Sequence, residues 1–351
     1  MNKKVNKKKF GGAKELIISI SALFVVAIVA IAIVLSSIGG KSDEQTFLEE
    51  ILTLQSRHPL TGEILLEDLK SLPQVFGVMI ENNYEAWPLS GLDGAFLVIE
   101  APVEANIPRF IAFFSEEATT EKIGPVRSAR TYYLDWNDAL NAVYAHVGGS
   151  PEALNLIAKE YKTIDLNQFW QSEYFWRENG TRYAPHNVFT SSELLVSALE
   201  KLDLGEPKYD VWKFTDDAPV EKPVSISVDF ADGSVYDLSW EYQTQTNSYL
   251  RYQGSSVMKM EDGAKISANN VVVISTDMRV IDNEGRLSLL TVGAGDALII
   301  QNGEMYLARW QKNERDERIK FYTADGYEIS FNAGVTWIEV VSSLSQVSEI
   351  E

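Results

Sequence analysis

Val143 to Leu154 reads VYAHVGGSPEAL. VYAHV suits a buried strand, Gly148-Gly149 turns the chain, and Ser150-Pro151-Glu152 opens a helix. Serine favours the N-cap, proline the first helical position, and an acid the first turn. A strand–turn–helix unit of this kind predicts a layered α/β or α+β domain. Outward from it, VFGVMI at 75–80, FLVI at 96–99 and FIAFF at 110–114 are short apolar runs bounded by turn residues. They are read as further buried strands. Ala129, Tyr132, Tyr133, Trp136, Leu140 and Val143 repeat at near-helical spacing. Thr190-Ser191-Ser192-Glu193 has capping-box spacing ahead of Leu194, Leu195 and Leu199.

This mixed domain is expected over residues 58–204, followed by a linker rich in charge and proline over 205–222. Beyond it the period becomes two: Val224, Ile226, Val228 and Phe230 alternate with Ser225, Ser227 and Asp229. Asp232-Gly233, Asp262-Gly263, Asn302-Gly303 and Asp325-Gly326 are hairpin signals. Residues 223–343 therefore predict an all-β domain, a sandwich or barrel, ahead of a tail at 344–351. The expected fold is an α+β or α/β N-terminal domain plus an all-β C-terminal domain, behind one N-terminal transmembrane helix.

That helix is read from Leu16–Ile38, LIISISALFVVAIVAIAIVLSSI, 23 residues without a charge. At about 1.5 Å per residue it spans a hydrocarbon core of about 30 Å. A cleaved signal peptide would have an apolar region of only about 7–15 residues. An uncleaved anchor is expected, with Ser37-Ile38-Gly39 a weak cleavage site. Residues 1–15 carry six lysines and one glutamate, so this basic tail stays cytoplasmic and the body lies outside the cell membrane. Residues 39–57 form a tether, with Phe47, Leu48, Ile51, Leu52 and Leu54 at helical spacing.

The net charge is −19, and the basic tail contributes +5, so the rest carries −24. Such a surface repels phosphates, which excludes nucleic acid as an expected partner, and it repels an anionic lipid surface. No cysteine is present. That excludes disulfides, thiolate catalysis, zinc–thiolate sites and iron–sulfur clusters. No metal site is expected, and no cofactor is indicated.

Chemistry concentrates in Lys122–Asp135, KIGPVRSARTYYLD. Gly124-Pro125 breaks the chain, and the expected helix would carry Arg127 and Arg130 in or near its first turn, with Ser128 between them. Three residues apart, they would project to one side. Cations there oppose the helix dipole, so an anion should compensate them. A bound phosphate or carboxylate is the functional reading, with Arg109 and Arg182 as further cations. Internal ion pairs to Glu81, Glu100 or Glu104 are the structural reading. Gly148, Gly149 and Ser150 offer a tight turn and free N–H groups, a weak phosphate signal. His146 and His186, the latter beside Asn187, could act as acid, base or metal ligands, and Glu100 is a third catalytic candidate. His58 stands in RHPLTG. No Gly-x-Ser-x-Gly elbow is present, so a serine hydrolase is a poor reading.

These segments resemble the YerB-like bacterial lipoproteins, whose two domains have no assigned function. HPLTG at 58–62, IGPVRSAR at 123–130, HVGGSPEAL at 146–154 and FWRENGTRYAPHN at 175–187 carry the likeness in the first half. YLRYQG at 249–254, ISANNVVV at 266–273, VGAGDALI at 292–299 and NAGVTWIEVV at 332–341 carry it in the second. The resemblance implies a mixed N-terminal domain and a separate β-rich C-terminal one. Two departures stand out. The acylated cysteine of such lipoproteins is missing, so the helix must anchor. In MIENNYEAWPLSG, Trp87 stands where the usual form resembles an arginine before the proline.

The expected function is binding of an anionic small molecule or an envelope protein through the Arg/His/Glu loops. The alternative is a hydrolase or transferase acting on a phosphate-bearing envelope substrate.

Overall fold

A computed structural model describes residues 56–180, 182–230 and 235–350. Arg57–Glu63 with Asp68–Glu351 forms one compact unit. The predicted span at 16–38 and the helical stretch of the tether lie outside the described residues. Among the described residues, no helix is long and apolar enough to cross a membrane.

The unit is built on one ten-stranded sheet. The first half supplies β1 (Val75–Glu81), β2 (Leu97–Pro102), β3 (Pro108–Ser115), β4 (Val143–His146) and β5 (Ile164–Asn167). The second half supplies β6 (Ser225–Val228), β7 (Leu238–Gln243), β8 (Ser248–Gln253), β9 (Asn270–Ser275), β10 (Gly293–Gln301), β11 (Glu304–Lys312), β12 (Lys320–Tyr322), β13 (Thr336–Val341) and β14 (Val347–Ile350). The large sheet runs β12-β11-β10-β9-β13-β2-β3-β1-β4-β5. The expected separation into two domains is thus bridged by backbone pairing. β13 lies parallel to β9 on one side and to β2 on the other, with Glu100 opposite Glu339. Both neighbours and both faces of β13 are covered, so TWIEVV is buried throughout.

Among the described residues, three α-helices accompany the first half: α1 (Thr131–Asp138), α2 (Pro151–Lys159) and α3 (Ser192–Leu202). On one face of the sheet, Leu195 and Ala198 of α3 share a core with Trp240, Tyr249 and Ile226 of a smaller sheet. That sheet pairs Ser256–Val257 with β8, β7, β6 and β14 in turn, and Ser267–Ala268 adds to β8. On the other face, Tyr132, Tyr133 and Trp136 of α1 and Ala153 of α2 pack with Met79, Ile111 and Ile338.

Several expectations change. The helix predicted from Ala129 to Val143 is only the eight residues of α1, because Val143 already belongs to β4. Ser191, not Thr190, caps α3 by accepting from Leu194 N, while the Thr190 hydroxyl bonds Tyr174 O. The 205–222 segment is not a loose linker: Trp212 is buried against Phe331, ring centroids 4.8 Å apart. Four residues of the predicted tail form β14, paired with β6. The second half is β-rich as predicted, but its strands divide between two sheets instead of closing their own barrel. Asn302-Gly303 makes the two-residue turn between β10 and β11, both residues at positive φ.

Between the two sheets lies a buried polar cluster. Glu100, Glu339 and Arg251 are each fully buried. Arg251 Nη2 is 2.7 Å from Glu100 Oε2, and Asn82 Nδ2 donates to Glu100 Oε1 at 2.8 Å. Trp240 Nε1 donates to Glu339 Oε1 at 3.0 Å. Burial, then the charge of Glu100, pushes the Glu339 carboxyl well above the usual range.

Arg251→Ala strands Glu100 unpaired in the core. The expected loss is about 3–5 kcal/mol of stability, read by urea denaturation. Glu339 behaves oppositely. Its folded pKa lies above its unfolded one, so the folded state holds the proton longer. From the ordinary carboxylate pKa up to the raised one, stability therefore falls as pH rises, by at most about 1.4 kcal/mol per pH unit. Glu339→Gln should flatten that decline above the ordinary carboxylate pKa; an unchanged slope would show that Glu339 does not cause it.

Candidate functional site

β1, β4 and β5 run parallel, and β2 runs the same way because β3 is antiparallel to both β1 and β2. Their carboxyl ends therefore share one edge of the sheet. Crevices outside such ends are the common ligand positions of open α/β sheets. Glu81 ends β1, Glu104 follows β2, and Gly148 follows β4. Arg109, at the start of β3, sits directly opposite Glu81 in the strand register.

Arg127 and Arg130 reach this edge on an extended segment. Arg130 is the N-cap of α1, with φ −130° and ψ 155°, and Arg127 lies further upstream. Neither stands in a helical turn, which corrects the expected placement. Arg127 N donates to Met79 O, and Ala129 N to Gly148 O, so the segment is laced between the ends of β1 and β4.

The expected countercharges are present. Arg130 holds Glu104 with two bonds, Nε–Oε1 2.7 Å and Nη2–Oε2 2.9 Å. Arg130 and its hydrogen bonds hold the Glu104 carboxyl below the usual range, outweighing the larger opposing effect of its burial. Arg127 Nε lies 3.1 Å from Glu81 Oε1 but off the hydrogen-bond line, so that buried N–H has no acceptor. Arg127 Nη1 donates to Pro185 O at 3.0 Å. The other oxygen of Glu81 is 2.7 Å from His186 Nδ1, and Glu85 lies 3.4 Å from His186 Nε2.

Arg109 differs. It is 6% exposed, and Nη1 donates to Ser128 O at 2.9 Å. Among the described residues, no carboxylate lies within ion-pair distance of it. Burial, then the charges of Arg130 and Arg127, pull its pKa down to about 10. It stays charged at neutral pH. The hydroxyl of Tyr144, fully buried and within the field of Arg109 and Arg130, also lacks a hydrogen-bond partner. Buried donors without acceptors are rare and call for an explanation.

Other candidates lie elsewhere or act structurally. His146 is sealed, its Nδ1 2.7 Å from Gly148 O and its Nε2 2.7 Å from Asp165 Oδ1. No ring nitrogen is left for a ligand. Glu100 serves the polar cluster between the sheets. Ser150 caps α2 by accepting from Ala153 N, and Gly149 is pressed against Ala129. Arg182 belongs to another group, with Glu178 at 3.3 Å and Glu261 at 3.2 Å. Asn187 accepts from Arg177 and donates to Glu178 O. His58 Nδ1 accepts from Leu60 N and Thr61 N, and its Nε2 meets Glu117. Trp87 donates from Nε1 to Asn82 Oδ1 and so supports the polar cluster. Sequence reasoning missed Arg251 and Glu339. Their only signal was a charge inside otherwise strand-like runs.

The chain belongs to the YerB-like family, whose two domains have no assigned function. Residues 60–205 match the "Protein of unknown function (DUF3048) N-terminal domain" and residues 226–338 match its C-terminal domain. A relative is YerB of Bacillus subtilis (strain 168), named a candidate lipoprotein. It is 28% identical over 296 residues, covering 83% of this chain and 87% of YerB. The crystal structure of YerB protein from Bacillus subtilis is similar, with a TM-score of 0.75 and 26% identity, over 85% of this chain and all of that one.

Proposed function

We propose that this is a membrane-held extracytoplasmic protein that binds an anionic ligand at the carboxyl edge of its large sheet. The observation that carries the reading is Arg109: a buried guanidinium with a backbone carbonyl as acceptor and two further arginines beside it. Arg127 and Arg130 are already matched by Glu81 and Glu104. A phosphate or carboxylate would supply the missing countercharge and accept from the unused donors. The acid–base alternative draws no support from His146, whose ring is fully engaged. His186 stands beside the arginines but is held between Glu81 and Glu85.

The location rests on the uncharged run Leu16–Ile38 behind a lysine-rich tail, and on likeness to a protein named as a lipoprotein. With no cysteine to acylate, the apolar run is the anchor.

Titrating the purified body with inorganic phosphate, pyrophosphate and citrate should raise its melting temperature with saturation. Arg109→Gln should abolish the response while far-ultraviolet circular dichroism stays unchanged. No saturable response to any of the three removes the ligand. For the anchor, the full chain should stay with the membrane pellet after an alkaline carbonate wash, and external protease should digest the body in intact spheroplasts. Release by the wash, or full protection, would falsify the topology.

A further inference from the structure

Beside the arginines, the same sheet edge carries exposed aromatic side chains. Phe169 and Trp170 follow β5, 57% and 76% exposed, with ring centroids 6.3 Å apart and planes at 79°. Tyr183, 77% exposed, stands on the loop that also carries Pro185 and His186. His186 N donates to Tyr183 O, and Pro185 O accepts from Arg127, so this ring's loop is fastened to the cation cluster.

The aromatic pair is also held by a frame. Asn167, 1% exposed, accepts at Oδ1 from both Gly148 N and Phe169 N, each at 3.1 Å. Gly148 has φ +59°, and a Cβ there would lie 2.8 Å from the Phe169 ring. Glycine thus lets the ring close onto the turn whose carbonyl accepts from Ala129 N. Arg130 Nη1 donates to Ala129 O at 2.8 Å, which ties the aromatic pair to the cations through one residue. From β3, which carries Arg109, across β1 and β4 to β5 is three strand spacings. That is about 14 Å.

Resting on the anion-binding reading, we propose that the ligand is an acidic saccharide chain. Its anionic groups are taken by Arg109 and its neighbours, and its sugar faces by Phe169, Trp170 and Tyr183. Aromatic faces accept the apolar C–H faces of pyranose rings, and guanidinium forks accept carboxylates or phosphates. Two features set this apart from other anions. The near-perpendicular rings form no parallel slot for a planar nucleobase, and the strands that carry Arg109 and the aromatic pair lie about 14 Å apart, more than one small anion spans.

The test is isothermal titration of the purified body with five probes. They are a uronic-acid tetrasaccharide, a phosphate-bearing tetrasaccharide, inorganic phosphate, a nucleoside monophosphate, and phosphatidylglycerol vesicles. At least one acidic tetrasaccharide should bind about tenfold or more tighter than phosphate. The Phe169→Ala/Trp170→Ala pair should lose about that factor while phosphate affinity stays within about twofold. Both side chains are exposed, so the fold should survive, with an unchanged melting temperature as the check. Acidic tetrasaccharides binding no better than phosphate overturn the saccharide and leave the anion site standing. Tighter binding of the nucleotide or the vesicles overturns it in favour of that ligand. No binding of any probe removes the anion site as well.

Discussion

Arg251 is a fully buried cation in the core between two sheets, and the arrangement around it leaves little freedom. It reaches from β8 to Glu100 on β2, and its guanidinium lies over the rings of Phe110, Trp240 and Trp337 at 5.7, 5.9 and 5.4 Å. A charge this deep is tolerable only when paired and hydrogen-bonded. Glu100 can meet it only while β2 faces the small sheet in its present register. A slip of one residue against β13 would turn Glu100 toward the helices, into an apolar core. A register that separated the pair would leave a buried charge unpaired, which is costly. Glu339, its neighbour across the β2–β13 join, shares that space with its carboxyl pushed well above the usual range by burial and by the charge of Glu100.

That fixed register is what aligns the sheet's carboxyl edge. Glu81 and Arg109 are opposite because β1 and β3 pair as they do, and β3 is pinned in turn by β2. The tyrosines of α1 help. Tyr133 Oη donates toward Ala101 O and Arg109 O, and Tyr132 Oη to Pro102 O, so α1 is bonded to the strand ends that carry the site. The cations are then held by backbone already committed to the sheet. Such rigidity is the preorganisation that the proposed recognition of a charged ligand would need.

Much of the first half was legible because its signals are local. Apolar runs marked β1 to β4, Ser150-Pro151 marked α2, and Asn302-Gly303 marked a hairpin in the second half. The arginine spacing was misread, since Arg127 and Arg130 fit a helical face yet lie in extended chain before α1. The need for acids beside them was still readable, because electrostatics demands compensation in either conformation. The join of the two halves was not readable. It pairs strands more than 200 residues apart, and no local pattern encodes that. Arg251 was hidden by its own strand. In SYLRYQ it takes an inward position while Leu250 is less buried, the reverse of what polarity suggests.

The join has a consequence for biosynthesis. Ribosomes deliver the chain from its N-terminus, and the partner of β2 arrives only with Thr336–Val341, near the end. Until then β2 presents an open hydrogen-bonding margin flanked by apolar side chains, the kind of surface that recruits stray strands. A nascent chain is exposed to this hazard from the time Leu97–Pro102 is made until Thr336–Val341 arrives, most of its synthesis. Closure is a late, long-loop event, with the slow kinetics such distant contacts impose.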